Sequence, residues 1–392
     1  MSKKSPNKGD RISVAHILTR LDMGGAQFNT LYTVANLNRE QFNATLVAGP
    51  GGTMEGVPND VEITFMSHLR REISPWHDIL AVFQIAAYLK RTRPDIVHTH
   101  SSKAGIIGRI AARIAGIPVI VHTAHGFGFN PYQNPVVRGF YVFLERLCAR
   151  ISSALIFVSK SNMDYASSCG IGRKDQYNLI RSGIRLSEYP AKADREEILR
   201  SLGIPDNTDE KENVIVFSIG NSKSQKNPAD FIRAAAEICG TRPNLYFIFA
   251  GGGEELPKFQ KMAEELNVGG QCRLIGWRRD TAQIMSVCDI YAMTSLWEGL
   301  PRSLVEAFAS GKPAVCYRAD GVADILKDGV NGYSTEKKDL PDFVEKLSRL
   351  VDDRDLRQRL AKGAKETDLA EFDIDYMVRQ QEELYKSLVV RS

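Results

Sequence analysis

Nearly continuous apolar segments of strand length alternate along this chain with segments whose apolar residues recur at helical spacing. In the first half, strands are predicted at 12–18, 44–49, 62–66, 95–100, 118–124 and 154–159, and helices at 24–38, 78–93, 104–115 and 136–150. Apolar strands separated by helices are typical of a parallel sheet whose two faces are both covered by helices. The first half therefore predicts a doubly wound α/β domain.

The same alternation starts again after a polar, charged segment at 189–213, which is interpreted as a linker with one short helix. Strands are predicted at 214–220, 245–251, 272–276, 290–295 and 313–318, and helices at 228–239, 255–267, 280–287 and 302–311. The pattern predicts two Rossmann-like domains, 1–188 and 189–366, that face each other across a cleft. The tail, 367–392, is expected to be an amphipathic helix that crosses back to the first domain.

Length and composition agree with a two-domain globular protein. At 392 residues the chain exceeds what one ordinary core supports, and 43% of its residues are hydrophobic and 25% charged. The first ten residues are polar, unlike a signal peptide, and no segment reaches about 18 uninterrupted apolar residues. Six cysteines are scattered without a C-x-x-C pair, which is typical of reduced thiols. These features predict a cytoplasmic protein without a cysteine-based metal site.

The net charge of +4 is distributed unevenly along the chain. Residues 1–188 carry 22 Lys and Arg against 13 Asp and Glu, whereas the remainder carries an excess of negative charge. A basic first half suggests an anionic surface or ligand, and ordinary surface variation explains it equally well.

Four of the seven histidines lie at the ends of two predicted strands: His98, His100, His122 and His125. Ligands of parallel α/β sheets bind beyond the carboxyl ends of the strands. His98 and His122 fall inside the strands and are interpreted as packing or hydrogen-bonding residues. His125, in the turn His-Gly-Phe-Gly, is the candidate for an active site. A metal site is not predicted, because helical spacing and a carboxylate partner are both missing.

The segment 295–313 holds two glutamates, Glu298 and Glu306, around a predicted helix start. Pro301 suits the first helical position, where its missing N–H costs nothing. The N–H groups of Arg302 and Ser303 then lie at the helix N-terminus, where a phosphate binds favourably. The segment is therefore predicted to bind an elongated ligand that carries a phosphate.

Several motifs of the second half occur together in one family. They are GNSKSQKNPADF (220–231), AGGGEE (250–255), LIGW (274–277) and the Glu298/Glu306 pair with its flanking Ser, Gly and Pro residues. The chain resembles glycosyltransferase family 4, which has the GT-B fold and transfers sugars from nucleotide sugars with retention of configuration. Residues 98–127 are similar to bacterial members that build capsular, exopolysaccharide or O-antigen chains.

The resemblance implies a role for each matching residue. Glu306 is expected to contact the ribose hydroxyls, Glu298 the donor sugar, and Lys226 the diphosphate. The Gly24–Gly25 loop is expected to close over the same phosphates, Ile275-Gly276-Trp277 to meet the nucleobase, and His125 to lie near the anomeric carbon. The implied catalytic residues are His125, Glu298 and Lys226; the implied donor-binding residues are Gly24, Gly25, Asn221, Lys226, Ile275, Gly276, Ser295, Glu298, Gly299, Leu300, Pro301, Arg302, Ser303 and Glu306.

Two positions depart from the family pattern. Asn221 stands where the family usually has an arginine, so one charge for the diphosphate is missing from its usual place. Arg302, Lys223 or Arg278 could supply it, and Arg302 ranks first because it lies at the predicted phosphate site. Asp324 replaces a glutamate of a later motif, which weakens any role for that position.

The resulting expectation is a metal-independent hexosyl or N-acetylhexosaminyl transferase in cell-surface polysaccharide synthesis, with a UDP-sugar as the favoured donor and no cofactor. GDP-mannose remains open as a donor. Alternative functions are a nucleotide-sugar epimerase of the same fold, a dehydrogenase, and a non-catalytic nucleotide-sugar-binding protein. The dehydrogenase lacks support because no G-x-G-x-x-G fingerprint is present, and no nucleic-acid-binding module is found.

The acceptor, lipid-linked or saccharide, is expected to bind the first domain. The segment 136–150 combines apolar residues with arginines, and the arginines near apolar helical faces in this domain are Arg109, Arg113, Arg138, Arg146 and Arg150. This pattern suggests an anionic membrane surface, with the protein peripheral on the inner face of the plasma membrane. Alternatively, Phe140, Phe143 and Leu147 belong to the core.

Overall fold

The computed structural model describes residues 11–22, 24–52, 57, 60–130, 132–205 and 213–390. The chain divides into two compact units, Met1–Gly183 with Ile374–Ser392, and Ile184–Asp373. The sequence predictions for the first ten residues and for the 206–212 part of the linker lie outside the described residues.

The described part of the first unit contains a parallel sheet of seven strands in the order β3-β2-β1-β4-β5-β6-β7. Its elements are β1 (Ile12–Leu18), α1 (Gly25–Asn36), β2 (Phe42–Ala48), β3 (Ile63–Phe65), α2 (Pro75–Thr92), β4 (Ile96–His100), α3 (Ser102–Ala115), β5 (Val119–Ala124), α4 (Pro135–Arg150), β6 (Ala154–Phe157), α5 (Lys160–Ser168), β7 (Tyr177–Leu179) and, from the end of the chain, α13 (Ile374–Val389).

Side chains that alternate along the strands give this sheet an apolar layer on each face. Ala15, Ile17 and Val97 pack against α2 and α3, whereas Val14, Ile96 and Val121 pack against α13. Near-complete burial of β1, β4 and β5 explains why these strands read as continuous apolar runs.

The described part of the second unit contains a parallel sheet of six strands in the order β10-β9-β8-β11-β12-β13. Its elements are α6 (Arg195–Ser201), β8 (Val214–Ile219), α7 (Pro228–Cys239), β9 (Leu245–Ala250), α8 (Leu256–Glu265), β10 (Cys272–Leu274), α9 (Thr281–Val287), β11 (Ile290–Met293), α10 (Arg302–Ala309), β12 (Ala314–Tyr317), β13 (Gly332–Thr335), α11 (Leu340–Asp352) and α12 (Arg354–Lys365).

Each sheet reverses its strand order at one point. The reversal lies between β1 and β4 in the first unit and between β8 and β11 in the second. Connections leave in opposite directions at such a point, so the loops that follow the two strands diverge and leave room for a ligand. The loops after β8 and β11 hold Lys226 and Glu298, and β1 and β4 carry histidines.

The prediction of two Rossmann-like α/β units is confirmed. Most predicted strands and helices are present with their ends displaced by one to three residues. Among the α-helices and β-strands of the described residues, five were not predicted: α5, β7, α11, α12 and β13. Both missed strands are three or four residues long, too short to show a pattern. Among the described residues, no helix combines the length and apolarity that crossing a membrane requires.

Candidate active site

The loops that follow β8 and β11 meet at an ion pair. The Nζ atom of Lys226 lies 2.5 Å from Oε1 of Glu298. The Glu298 side chain is 8% exposed and that of Lys226 is 21% exposed. The carboxylate is therefore nearly buried, and the lysine is partly accessible to solvent. Residues 72 positions apart in sequence are brought together because their strands are neighbours at the reversal of the sheet.

Hydrogen bonds join these two loops directly. Thr294 donates through its hydroxyl to the carbonyls of Lys226 and Asn227, at 3.2 and 2.9 Å. The Leu296 N–H donates to the Gln225 carbonyl at 2.8 Å, and the Gln225 amide donates to the Trp297 carbonyl at 2.9 Å. The position of Lys226 is therefore set by the backbone of the segment that carries Glu298.

Glycines allow the lysine side chain to lie close to the main chain. A Cβ atom at Gly220 would come within 2.9 Å of Cδ of Lys226. Gly251 has a φ of +150°, and a Cβ there would lie 1.7 Å from the Gly220 carbonyl oxygen. The AGGGEE motif thus packs against the strand end that supports Lys226. The Gly251 N–H donates to the Gly276 carbonyl at 2.7 Å, which places the predicted nucleobase segment beside this motif.

Helix α10 begins at Arg302, and Pro301 is its N-cap rather than its first helical residue. The expected position was wrong by one residue, because Pro301 has a ψ of 88°, outside the helical range. The Leu304 N–H donates to the Pro301 carbonyl at 3.0 Å. The N–H groups of Arg302 and Ser303 precede this first helical bond, as the sequence predicted. The Ser303 hydroxyl is held by the Tyr291 hydroxyl at 2.6 Å.

Glu306 and Arg302 lie one turn apart on α10 and influence each other's ionisation. Burial raises the pKa of the Glu306 carboxyl, and the positive charges of Arg302 and Lys226 oppose that rise. Burial lowers the pKa of Arg302, whereas Glu306 and Tyr189 raise it. Arg302 and Lys226 therefore both act electrostatically on Glu306, and Lys226 is also paired with Glu298.

The remaining predicted residues of this unit surround the same segment. Ser295 is buried, and Gly299 and Leu300 pack against the turn at Gly321 that precedes Asp324. Asn221 is partly exposed at the end of β8. Arg278 donates two hydrogen bonds to the Asp280 carboxylate, at 2.7 and 2.6 Å, so its guanidinium is already paired with that carboxylate.

The first unit has a cluster of histidines at the corresponding reversal of its sheet. Nδ1 of His100 lies 3.2 Å from Nε2 of His125, and Nε2 of His100 lies 3.0 Å from Nδ1 of His16. His98 contacts the hydroxyls of Tyr385 and Thr123 at 2.5 and 2.7 Å. The sequence prediction missed His16, because it lies inside β1, far from the other histidines in sequence. Its apolar neighbours gave no signal for function.

One ring nitrogen from each of His16, His98 and His100 lies within 4.8 Å of the other two, a spacing that metal ligands also show. Both nitrogens of His98 already contact hydroxyl groups, and Nδ1 of His16 contacts His100. The three rings are therefore engaged in hydrogen bonds. Burial lowers the pKa of all three histidines, to about 3 for His16.

Gly24 is the N-cap of α1, with a φ of −176°. This extended conformation is open to any residue. Gly25 is the first residue of α1. The backbone conformation at position 24 therefore does not require a glycine.

Comparisons with known proteins identify the family of this chain. The family model described as "Glycosyl transferases group 1" matches residues 200–367, and the model described as "Glycosyl transferase 4-like domain" matches residues 24–183. An Escherichia coli protein, UDP-Gal:alpha-D-GlcNAc-diphosphoundecaprenol alpha-1,3-galactosyltransferase, is 31% identical over 388 residues, which cover 97% of this chain and 98% of that protein. The chain belongs to glycosyltransferase family 4. It is thus a glycosyltransferase with two Rossmann-like units, as the sequence predicted.

A second relative of this glycosyltransferase comes from Campylobacter jejuni. N,N'-diacetylbacillosaminyl-diphospho-undecaprenol alpha-1,3-N-acetylgalactosaminyltransferase is 27% identical over 329 residues, which cover 82% of this chain and 84% of that protein. Among solved structures, Anabaena HepE in complex with UDP-glucose matches with a TM-score of 0.79 at 21% identity, covering 96% of this chain and all of HepE. WaaG, a glycosyltransferase involved in lipopolysaccharide biosynthesis, matches with a TM-score of 0.74 at 17% identity, covering 95% of this chain and 99% of WaaG. These two structures support the GT-B fold that the sequence predicted.

Proposed function

We propose that this glycosyltransferase moves a sugar, with retention of configuration, from a UDP-sugar to a lipid-linked saccharide acceptor in cell-surface polysaccharide synthesis. The observation that carries the proposal is the Lys226–Glu298 pair beside the N-terminus of α10. A cation, a carboxylate and backbone N–H groups together suit a ligand with a diphosphate next to a sugar. In this proposal the second unit binds the donor and the first unit binds the acceptor.

The donor is held by segment 295–313 and Lys226. Glu306 accepts hydrogen bonds from the two ribose hydroxyls, and Glu298 accepts from hydroxyls of the sugar. The N–H groups of Arg302 and Ser303 bind the β-phosphate, and Lys226 neutralises it. Ile275 and Gly276 meet the nucleobase, and the Gly24–Gly25 loop keeps its proposed contact with the diphosphate.

The chemistry consists of one exchange of bonds at the anomeric carbon. The bond from that carbon to the β-phosphate oxygen breaks, and a bond to the acceptor oxygen forms on the same face. The acceptor's hydroxyl proton passes to the departing phosphate, so UDP leaves with the proton. Negative charge grows on the diphosphate, where Lys226 and the helix-start N–H groups lie already oriented; such preorganised groups are each worth about 3 kcal/mol or more.

The position of Arg302 changes how the missing arginine at Asn221 is explained. The sequence ranked Arg302 first as the replacement charge, and its charge acts on Glu306. We propose that Arg302 both contributes positive charge near the β-phosphate and keeps Glu306 ionised for the ribose. Arg278 is the weakest of the three candidates, because Asp280 holds it.

The names of the relatives support the donor and acceptor classes. The Escherichia coli relative uses UDP-galactose by name, and both enzymes are named for acceptors on diphospho-undecaprenol. We therefore propose a UDP-sugar donor and a polyprenyl-diphosphate-linked sugar as acceptor.

The test is an assay of the purified protein with UDP-galactose, UDP-glucose, UDP-N-acetylglucosamine, UDP-N-acetylgalactosamine and GDP-mannose. Each is incubated with and without a synthetic polyprenyl-diphosphate N-acetylhexosamine. We expect a glycosylated lipid from one UDP-sugar only when the lipid is present. Epimerised sugar or free sugar without acceptor would favour an epimerase, and binding without turnover of any donor would favour a non-catalytic binding protein.

Exposed apolar residues on α4 exclude one of the two interpretations of 136–150, that these residues belong to the core. Phe140 is 58% exposed and Phe143 is 54% exposed, and Leu147 is also exposed. They are therefore not core residues. Helix α2, on the same face of the sheet, adds exposed Trp76 and Phe83.

The basic residues around this face need one correction. Arg109 is fully buried and forms an ion pair with Glu145 at 2.6 Å, so it is not available to a membrane. Arg113, Arg146 and Arg150 are exposed. Apolar side chains with exposed arginines fit the interface of an anionic bilayer. We propose that α2 and α4 place the enzyme peripherally on the inner face of the plasma membrane.

Replacing Phe140 and Phe143 together by serine is expected to weaken binding to anionic vesicles. Burial of one phenylalanine contributes about 1.5 kcal/mol or more, so the double variant should bind at least tenfold more weakly. Flotation with phosphatidylglycerol-containing vesicles measures this, and raised salt should weaken the binding of the wild type.

The matched control is Leu266→Ser, which removes an exposed apolar residue from the second unit. It should bind vesicles like the wild type. Equal flotation of wild type and the phenylalanine double variant, or wild-type binding that ignores salt and anionic lipid, would exclude this membrane surface.

A further inference from the structure

The residue that follows Lys226 has an unusual backbone conformation. Asn227 has a φ of 48° and a ψ of 56°, in the left-handed region, and it is the N-cap of α7. A residue with a Cβ atom is disfavoured there, although asparagine tolerates the region better than most. Pro228 comes next, and a proline favours an extended conformation for the residue before it. Both local preferences therefore oppose the conformation observed at Asn227.

Hydrogen bonds at the Asn227 side chain oppose these local preferences. Its amide donates to Oδ2 of Asp230 at 2.6 Å, and the Tyr317 hydroxyl donates to the same oxygen at 2.9 Å. The other oxygen of Asp230 accepts from Arg233 at 2.8 Å. Burial and the Asp230 carboxylate raise the pKa of Tyr317, so its hydroxyl stays protonated and donates. Asn227, Asp230 and Tyr317 together form a clamp that ties position 227 to the buried end of β12.

The backbone on both sides of position 227 is also held. The Thr294 hydroxyl donates to the carbonyls of Lys226 and Asn227. The φ and ψ angles of Asn227 set the directions of these two carbonyls relative to α7. Helix α7 itself is fixed, because Phe231 and Ile232 are fully buried in the core of the unit. A change of conformation at position 227 would therefore move Lys226 and leave the helix in place.

The turn at Asn227 thus connects a fixed helix to the Lys226 side chain. That side chain runs along Gly220 and ends at the carboxylate of Glu298, 2.5 Å away. An extended conformation at position 227 would rotate the peptide group between Lys226 and Asn227. The rotation would draw Nζ of Lys226 away from Glu298.

We propose that the clamp holds position 227 in the left-handed conformation and so keeps Lys226 in contact with Glu298. Its three members are positioning residues, and none of them has to touch the substrate. The inference rests on the proposed function, which assigns Lys226 to the departing diphosphate. A disfavoured backbone conformation persists where the surrounding contacts enforce it, and such positions cluster at active sites.

Chemical labelling of lysines tests the position of Lys226 without any substrate. Acetylation with N-hydroxysuccinimidyl acetate, followed by peptide mass spectrometry, gives a reaction rate for each lysine. In the wild type, contact with Glu298 protects Nζ of Lys226. In Asn227→Ala the clamp is lost, so Lys226 should react about threefold faster or more. Lys258, an exposed lysine of the same unit, supplies the reference rate in each sample.

Substitution by glycine separates the backbone conformation from the side chain that stabilises it. Glycine adopts positive φ without a clamp, so Lys226 should react in Asn227→Gly as it does in the wild type. Tyr317→Phe removes one hydrogen bond to Asp230 and should accelerate the labelling of Lys226, less than Asn227→Ala does. In the Asn227→Gly background, the same Tyr317→Phe change should no longer affect Lys226.

Asn267 provides the matched control for backbone strain. It lies just after α8 in the same unit, is exposed, and has a φ of 56°. Alanine is disfavoured at both positions, so Asn227→Ala and Asn267→Ala should both lower the free energy of unfolding. Only Asn227→Ala should change the labelling of Lys226.

Two results would overturn the positioning role. One is an unchanged Lys226 rate in a folded Asn227→Ala protein, and the other is an equal increase in Asn267→Ala. If Asn227→Ala does not fold, Tyr317→Phe decides in its place, and an unchanged Lys226 rate in that variant would overturn the proposal.

Kinetics connect the position of Lys226 to the reaction. Because misplacement of a catalytic group lowers the rate steeply, we expect kcat to fall about tenfold or more in Asn227→Ala. In Asn227→Gly it should stay within about threefold of the wild type, with KM changed less than kcat in both variants. Equal falls of kcat in the two variants would contradict the positioning role. Faster labelling of Lys226 together with wild-type kcat would contradict only the role that the proposed function gives to Lys226.

Discussion

Replacement of Lys226 by alanine is expected to lower kcat/KM by about 100- to 1,000-fold, mainly through kcat, because the lysine opposes charge that grows on the departing diphosphate. The structure gives two reasons for a large effect. Lys226 is the cation in contact with Glu298, at 2.5 Å. Its removal also leaves Glu298, which is nearly buried, without that partner.

Steady-state kinetics with the true donor measure this effect. Lys226→Arg keeps the charge but changes the geometry of the contact, so partial activity is expected. Lys258→Ala, an exposed lysine of α8, serves as the control and should behave like the wild type. A Lys226→Ala enzyme within threefold of the wild type would remove Lys226 from the proposed site.

Replacement of Glu306 by alanine is expected to lower kcat/KM by at least about tenfold, chiefly by raising KM for the donor. A ribose contact is present before and during the reaction, so its loss weakens binding of ground state and transition state alike. The measurement is the dependence of rate on donor concentration. Glu345→Ala on α11, where the side chain is exposed, is the matched control. A large fall in kcat with unchanged KM would contradict the ribose assignment.

The raised pKa of Glu306 predicts that kcat/KM depends on pH. Burial raises the pKa of Glu306, so its carboxylate becomes protonated at a higher pH than that of an ordinary glutamate. Because the ribose contact needs the carboxylate as acceptor, kcat/KM should fall as pH decreases through that raised value. Glu306→Gln should lose this acid limb. An identical acid limb in that variant would assign it to another group.

Much of the fold could be predicted from the alternation of apolar strand segments with helical segments, because the central strands are buried on both faces. β1 and α7 have the predicted bounds, since each is a strong apolar or amphipathic segment with clear ends. The short strands β7 and β13 were missed because they lie at sheet edges and depend on neighbouring strands. Helix α11 buries Phe343, Leu347 and Leu350 at helical spacing, so its amphipathic pattern is visible in the sequence.

The sequence predicted the candidate site only to the extent that family motifs contain its residues. Lys226 and Glu298 belong to different motifs that the resemblance assigns to one donor, whereas their direct contact depends on the neighbouring positions of β8 and β11 in the sheet. The link from His16 to His125 could not be predicted, because it depends on the register of β1 against β4 and on side-chain orientation. The exposure of Phe140 and Phe143 also required the structure, since apolar residues at helical spacing are usually buried.

The configuration of the new glycosidic bond tests the proposed reaction most directly. The purified enzyme, the UDP-sugar that it accepts and the polyprenyl-diphosphate acceptor give a product whose anomeric coupling constant can be read by proton magnetic resonance. Transfer on the same face of an α-linked UDP-hexose predicts an α-linkage, seen as a small coupling constant for a gluco- or galacto-configured sugar. A β-linkage would contradict transfer with retention.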